Sequence, residues 1–175
     1  MINRRHLAAF ALTLAMAMGT VGEGHATTRI PGLESPAVAG SATLSFLGFT
    51  VYRGRLFTEE GQAFTPGAPV ALELVYNRTF TAEQMLDTTR SELARVEPGR
   101  PGQDIILDRL ADCFRDVSRG DQFLAASEEP DRLRLWLNGT QTCDVRGDGI
   151  GARFLSIWLS ENSRFPRLSR QLRGA

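Results

Sequence analysis

Asn138-Gly139 sits between a run in which Leu133 and Leu135 alternate with Arg132 and Arg134, and a second run carrying Thr140, Thr142 and Val145. An Asn-Gly pair suits a two-residue type I′ turn, because both central residues must take positive φ. The two runs therefore predict a β-hairpin, and a hairpin makes its sheet antiparallel. Three further segments carry strand signals. Val70 to Arg78 places Leu72, Leu74 and Tyr76 on one face and Glu73 and Asn77 on the other. Phe123 to Ser127 is a short strand. Ala42 to Phe57 predicts one long or two short strands, with a bulge or close approach at Gly48 or Gly54.

Helical signals fall between these strands. Thr81-Ala82-Glu83-Gln84 forms a capping box, in which Thr81 and Gln84 satisfy two free amides. The helix it opens runs to about Val96, with Met85, Leu86, Thr89, Leu93 and Val96 inward, and Pro98 to Gly102 ends it. A second helix is predicted from about Asp104 to Phe114, with Ile106, Leu110 and Cys113 inward. Two shorter ones follow, Ala152 to Leu159 and Pro166 to Gly174. Strands, two helices, strands and two helices in that order imply an α+β class: an antiparallel sheet with helices packed on one face.

The first residues have the three parts of a secretory signal: Arg4 and Arg5, an apolar run from Leu7 to Met18, and the small residues Gly24 and Ala26 around His25. The expected division is a signal peptide over 1–26, a flexible leader over 27–40 holding Pro31, Gly32, Pro36 and Gly40, and one domain over 41–175. The apolar run is shorter than the roughly 20 residues a membrane span needs, and no other run of that length follows. Cleavage after Ala26 leaves 18 Arg against 19 acids. A chain so balanced has no overall electrostatic footprint for nucleic acid or an anionic membrane. In an exported chain Cys113 and Cys143 are expected to form a disulfide, the other option being two buried thiols.

Both histidines, His6 and His25, belong to the signal segment, and the sequence has no lysine. The mature chain thus lacks Ser-His or Cys-His nucleophile pairs, lysine Schiff bases, the P-loop lysine and His-ligated metal sites. No cofactor, no metal and no catalytic set is expected. Asp144 to Gly149 carries alternating acids but no closing Glu, so turn chemistry is the expectation over a calcium loop. Asn77-Arg78-Thr79 and Asn138-Gly139-Thr140 match the glycosylation pattern, which would mean nothing in a bacterial periplasm, and Asn138 is already explained by its turn. The candidate ligand groups are Tyr52, Arg53 and Arg55 on one strand and Tyr76 and Arg78 on the next. Arg and Tyr converging over an apolar sheet can take a carboxylate or phenol. Alternatively, their stems cover apolar surface while the heads reach solvent.

Several segments resemble bacterial chalcone isomerase-like proteins in order and spacing. They are Leu47-Gly48-Phe49-Thr50-Val51-Tyr52 with Arg55-Leu56-Phe57, then Leu72-Glu73-Leu74 with Tyr76 and Arg78. Phe114, Asp116, Val117, Gly120 and Asp121 follow, then Asn138-Gly139, Phe154 and Ile157-Trp158-Leu159. The resemblance implies an antiparallel sheet with helices against one face, and a cleft used by true isomerases and by non-catalytic fatty-acid binders. It also implies that the isomerase Thr falls at Val51, its Tyr near Met85 and its Asn near Glu92, so the isomerase set is not matched. The expected function is binding of a small amphipathic, acidic ligand such as a fatty acid. The alternatives are an envelope protein that is structural or binds a partner, and an isomerase or lyase.

Overall fold

The structure is a computed structural model that describes residues 29–174. The expected signal peptide lies outside the described residues. Six strands form one sheet in sequence order, every neighbouring pair antiparallel: β1 (Pro36–Phe46), β2 (Phe49–Glu59), β3 (Val70–Tyr76), β4 (Gln122–Ser127), β5 (Arg132–Leu137) and β6 (Thr140–Arg146). Helices α1 (Ala82–Val96) and α2 (Gln103–Ala111) connect β3 to β4, and α3 (Ile150–Leu159) and α4 (Pro166–Leu172) follow β6. The strand pleat sorts the apolar residues into two sets. Leu56, Leu72, Leu74, Ala125, Leu133 and Leu135 form the main core with Leu93, Leu110, Phe154 and Leu172 of the helices. Phe57, Ala71, Ala126 and Trp136 point to the opposite face.

That opposite face corrects the leader expectation. β1 begins at Pro36, inside the segment 27–40. Ahead of it Ile30 is buried against Phe57, Ala71, Ala126 and Trp136. The amides of Glu34 and Ser35 donate to the Glu59 carboxylate at 2.7 and 2.8 Å. The segment's Pro and Gly residues steer the chain across the sheet; Ile30 anchors it there.

The region read as one or two strands is a hairpin, with Leu47-Gly48 as its turn. Leu44 pairs with Tyr52 and Ser45 with Thr50, so Val51 is the extra residue of a β-bulge. A second bulge at Ala39 lets the end of α4 approach β1, where a Cβ on Gly40 would lie 2.1 Å from the Gln171 carbonyl oxygen.

The helix signals held where they were local. The Thr81 side chain accepts from the Gln84 amide at 3.2 Å and the Thr81 amide donates to the Gln84 side chain at 3.0 Å. Asp116 joins this cap by accepting from the Ala82 amide at 2.8 Å. Thr81→Ala is expected to destabilise the domain by about 1 kcal/mol, the usual worth of an N-cap. A urea midpoint equal to that of the parent would contradict it. α2 ends at Ala111, three residues before the expected Phe114, and Cys113 lies in the turn that follows it. Cys113 and Cys143 are disulfide-bonded, with Cα atoms 5.1 Å apart.

Candidate functional site

A cavity of about 450 Å³ opens between the sheet and helices α1, α3 and α4. Its floor is Tyr52, Tyr76 and Phe123 from the central strands, and its walls include Met85 and Thr89 of α1 and Phe154 and Trp158 of α3. Phe80, Phe114 and Leu168 add to a lining that is mostly apolar. That volume lies in the range of small-molecule sites.

Two tyrosines give the floor its polar groups. Tyr52 and Tyr76 are paired residues on β2 and β3, so both point toward the helices, with ring centroids 6.1 Å apart in an edge-to-face contact. The Trp158 indole nitrogen donates to the Tyr52 hydroxyl at 3.0 Å. This leaves the Tyr52 proton available for donation. The Tyr76 hydroxyl has no hydrogen-bond partner among the described residues. Burial pushes both hydroxyls well above the ordinary tyrosine range; the Trp158 bond works against this at Tyr52, and neighbouring Tyr52 adds to it at Tyr76. Both are therefore neutral donors at any physiological pH.

The rim carries the charge. Glu92 of α1 is buried to 7% exposure, a costly place for a carboxylate unless it is paired. Arg164, in the connection between α3 and α4, donates from Nε to Glu92 at 2.7 Å. Arg95 approaches the other carboxylate oxygen at 3.4 Å. Two guanidinium groups thus face one carboxylate. The two terminal nitrogens of Arg164 make no hydrogen bond among the described residues, although Arg164 lines the cavity. Asp87 also stands at the rim, where Arg90 pairs with it at 2.6 Å.

The five candidate ligand groups do not converge. Tyr52 and Tyr76 line this cavity. Arg53 and Arg55 border a different cavity, of about 670 Å³, with their side chains on the opposite face of the sheet, because neighbours along a strand point to opposite sides. There Arg55 donates from Nε to Glu73 at 2.7 Å, and Gln122 donates to the same carboxylate. Glu73 is buried to 1% exposure, so Arg55 is committed to neutralising it. Arg78 lies beyond the end of β3, and its guanidinium carbon sits 4.6 Å from the centroid of the Phe49 ring. The expectation that Tyr76 and Arg78 lie on one strand fails because β3 stops at Tyr76.

Sequence reasoning missed Glu92 and Arg164 as site residues. The available signal was an acid at the helix position between Thr89 and Leu93, on the face expected to be buried. Val51, Met85 and Glu92, the positions where the resemblance placed the isomerase's Thr, Tyr and Asn, all line the cavity. The acids of the Asp144 segment have other duties. Asp144 receives Arg132 from Nε at 2.9 Å and from a terminal nitrogen at 2.6 Å, which holds its carboxyl below the usual range.

No protein-family model matches the chain, and no curated protein matches it in sequence. Among solved structures it is similar to a fatty-acid binding protein of Arabidopsis thaliana, with a TM-score of 0.60 and 12% identity over 83% of this chain and 91% of that one. At this identity the likeness establishes the fold: a six-stranded antiparallel sheet with four helices, of the chalcone isomerase-like type.

Proposed function

We propose that this chain is an exported, non-catalytic binding module for a small amphipathic acid such as a fatty acid, held in the cavity between sheet and helices. One observation carries the reading: an apolar cavity of about 450 Å³ is rimmed by Arg164, whose terminal nitrogens are uncommitted among the described residues. A carboxylate at the rim receives two N–H groups from Arg164, the bidentate geometry in which guanidinium binds carboxylate best. The alkyl chain lies over Phe123, Phe154 and Leu168, where burial supplies roughly 25 cal/mol per Å² of apolar area. Tyr52 and Tyr76 donate to an oxygen that reaches the floor. The similar Arabidopsis protein is a fatty-acid binder, which supports the ligand class. Export is proposed with it: residues 1–26 as the signal peptide, and the Cys113–Cys143 bond as a feature suited to an oxidising compartment.

The test is a titration of delipidated protein with a fluorescent fatty acid. Binding at micromolar protein is expected, with Arg164→Ala weakening it about tenfold, the loss of a charge-assisted pair. Arg55→Ala, on the other face, should leave affinity unchanged. Absence of binding by the parent protein at micromolar concentration sinks the reading.

A further inference from the structure

The β1–β2 hairpin carries four of the five large apolar residues exposed among the described residues, and three of the four are at its tip. Phe46 is 60% exposed, Leu47 80% and Phe49 60%. β2 pairs with β3 only from Tyr52 onward, so residues 45–50 project past the sheet as a two-stranded ribbon. A few residues before and after the tip, Leu44 and Val51 belong to the cavity lining. The apolar surface of the ribbon is therefore continuous along the chain with the wall of the cavity.

The turn residue is the unusual feature. Among the described residues, two-residue turns with both central residues at positive φ occur at Leu47-Gly48, Glu60-Gly61 and Asn138-Gly139, and two of them are nearly superimposable in φ. Asn138 and Gly139 have φ of 50° and 79°, and Leu47 and Gly48 have the same two values. The first turn carries Asn, the residue that tolerates this conformation. The second places a bulky leucine there, a backbone outlier for such a side chain, at the most exposed of the tip positions. Folding favours Asn at that position, and Leu47 is 80% exposed among the described residues. Backbone strain retained at an exposed apolar residue points to a role outside folding.

The charge around the tip narrows the occupant. From Ser35 to Thr58 the sequence has no acid, although the chain as a whole is balanced; of its two cations Arg55 neutralises Glu73, which leaves Arg53. Arg78 lies on the face of Phe49, a cation at the base of an apolar tip. Asp116 and Asp121, in the loop after α2, turn their oxygens to the fold: Asp116 accepts from the Ala82 amide, and Asp121 from the Ser118 amide and Asn138. Apolar side chains leading and an arginine behind them match the interfacial layer of a bilayer, with acyl chains below and phosphates above.

We infer that the Phe46–Phe49 tip docks on the surface of a lipid bilayer carrying anionic headgroups, and that the ligand enters the cavity from there. The inference rests on the fatty-acid reading for its cargo, but not for the contact itself. The experiment measures transfer of a fluorescent fatty acid from phosphatidylglycerol–phosphatidylethanolamine vesicles to the protein, and flotation of the protein with the same vesicles. Leu47→Asn and the double variant Phe46→Ser/Phe49→Ser should each slow transfer about tenfold and reduce flotation, the loss expected from removing buried apolar area. Their affinity for the probe in vesicle-free solution should be unchanged, and Leu47→Asn should melt at or above the parent temperature because it relieves the turn. Parent rates of transfer and parent flotation in both variants overturn the inference, as they would if the tip contacts a protein instead. If the parent protein binds no fatty acid in solution, the ligand reading fails separately. Flotation of the parent that is lost in the tip variants still supports the contact, and no flotation of the parent refutes it.

Discussion

Replacing both cysteines, Cys113→Ala with Cys143→Ala, is expected to lower the unfolding free energy by about 3–4 kcal/mol, the entropy of closing a loop of this length. For a domain of this size the melting temperature should fall by roughly 10 °C. The two residues are 30 apart in sequence, and the bond ties the turn after α2 to β6, the last strand of the sheet. Without it an edge strand is held by one neighbour alone, and such strands fray and pair with other chains. The comparison is a thermal melt of oxidised protein against reduced protein and the double variant. Equal melting temperatures for all three would show that the bond constrains nothing the packing has not already fixed.

The second large effect is expected at Arg153. This side chain is 2% exposed in α3, and it donates from Nε to both oxygens of Glu97 at 3.0 Å and from a terminal nitrogen at 2.6 Å. It also reaches the Pro101 carbonyl at 3.2 Å and Asp148 at 3.3 Å. Glu97 caps the end of α1, so this one guanidinium fastens α1, α3 and the Pro98–Gly102 connection together. Two of those helices are walls of the cavity. Arg153→Met should destabilise the domain by about 3–5 kcal/mol, because a nearly buried carboxylate is left with only Arg100 at 3.6 Å. The double variant Arg153→Met/Glu97→Gln should recover much of the loss, since no buried charge remains. Urea unfolding of the single and double variants checks both statements. A double variant as unstable as the single one would mean that packing of the arginine stem, and not the charge, is what matters.

Features encoded within a few residues were legible in the sequence. The Thr81–Gln84 cap, the Asn138-Gly139 turn and the alternation of Val70 to Tyr76 each depend on contacts the chain makes with itself over a short span. Part of the site could also have been placed from the pleat. Tyr52 and Arg53 are adjacent in a strand, so they belong on opposite faces, and only the tyrosine could face a core. The disulfide shows the boundary more sharply. Uninterrupted pairing from the Asn138-Gly139 turn would set Cys143 opposite Arg134, on the face away from the helices. The extra residue Thr142 shifts the register, so that Cys143 pairs with Leu135 and turns toward Cys113.

Taken alone, the sequence determined the class: an antiparallel sheet with two helical pairs, no histidine after His25 and no lysine at all, and two cysteines suited to one bond. It also left residues 27–175 with Arg, Tyr, hydroxyl and carboxylate groups as their polar chemistry, and no His or Lys. Only the tertiary structure decided which arginine stands at the rim of the cavity. Arg164 meets Glu92 across 72 positions of sequence, and Ile30 finds Trp136 across the width of the sheet. No local pattern marks such contacts, because nothing near either residue in the chain depends on the other. They are chosen when the helices settle on one face of the sheet, where a buried carboxylate must find a cation and an apolar side chain must leave water.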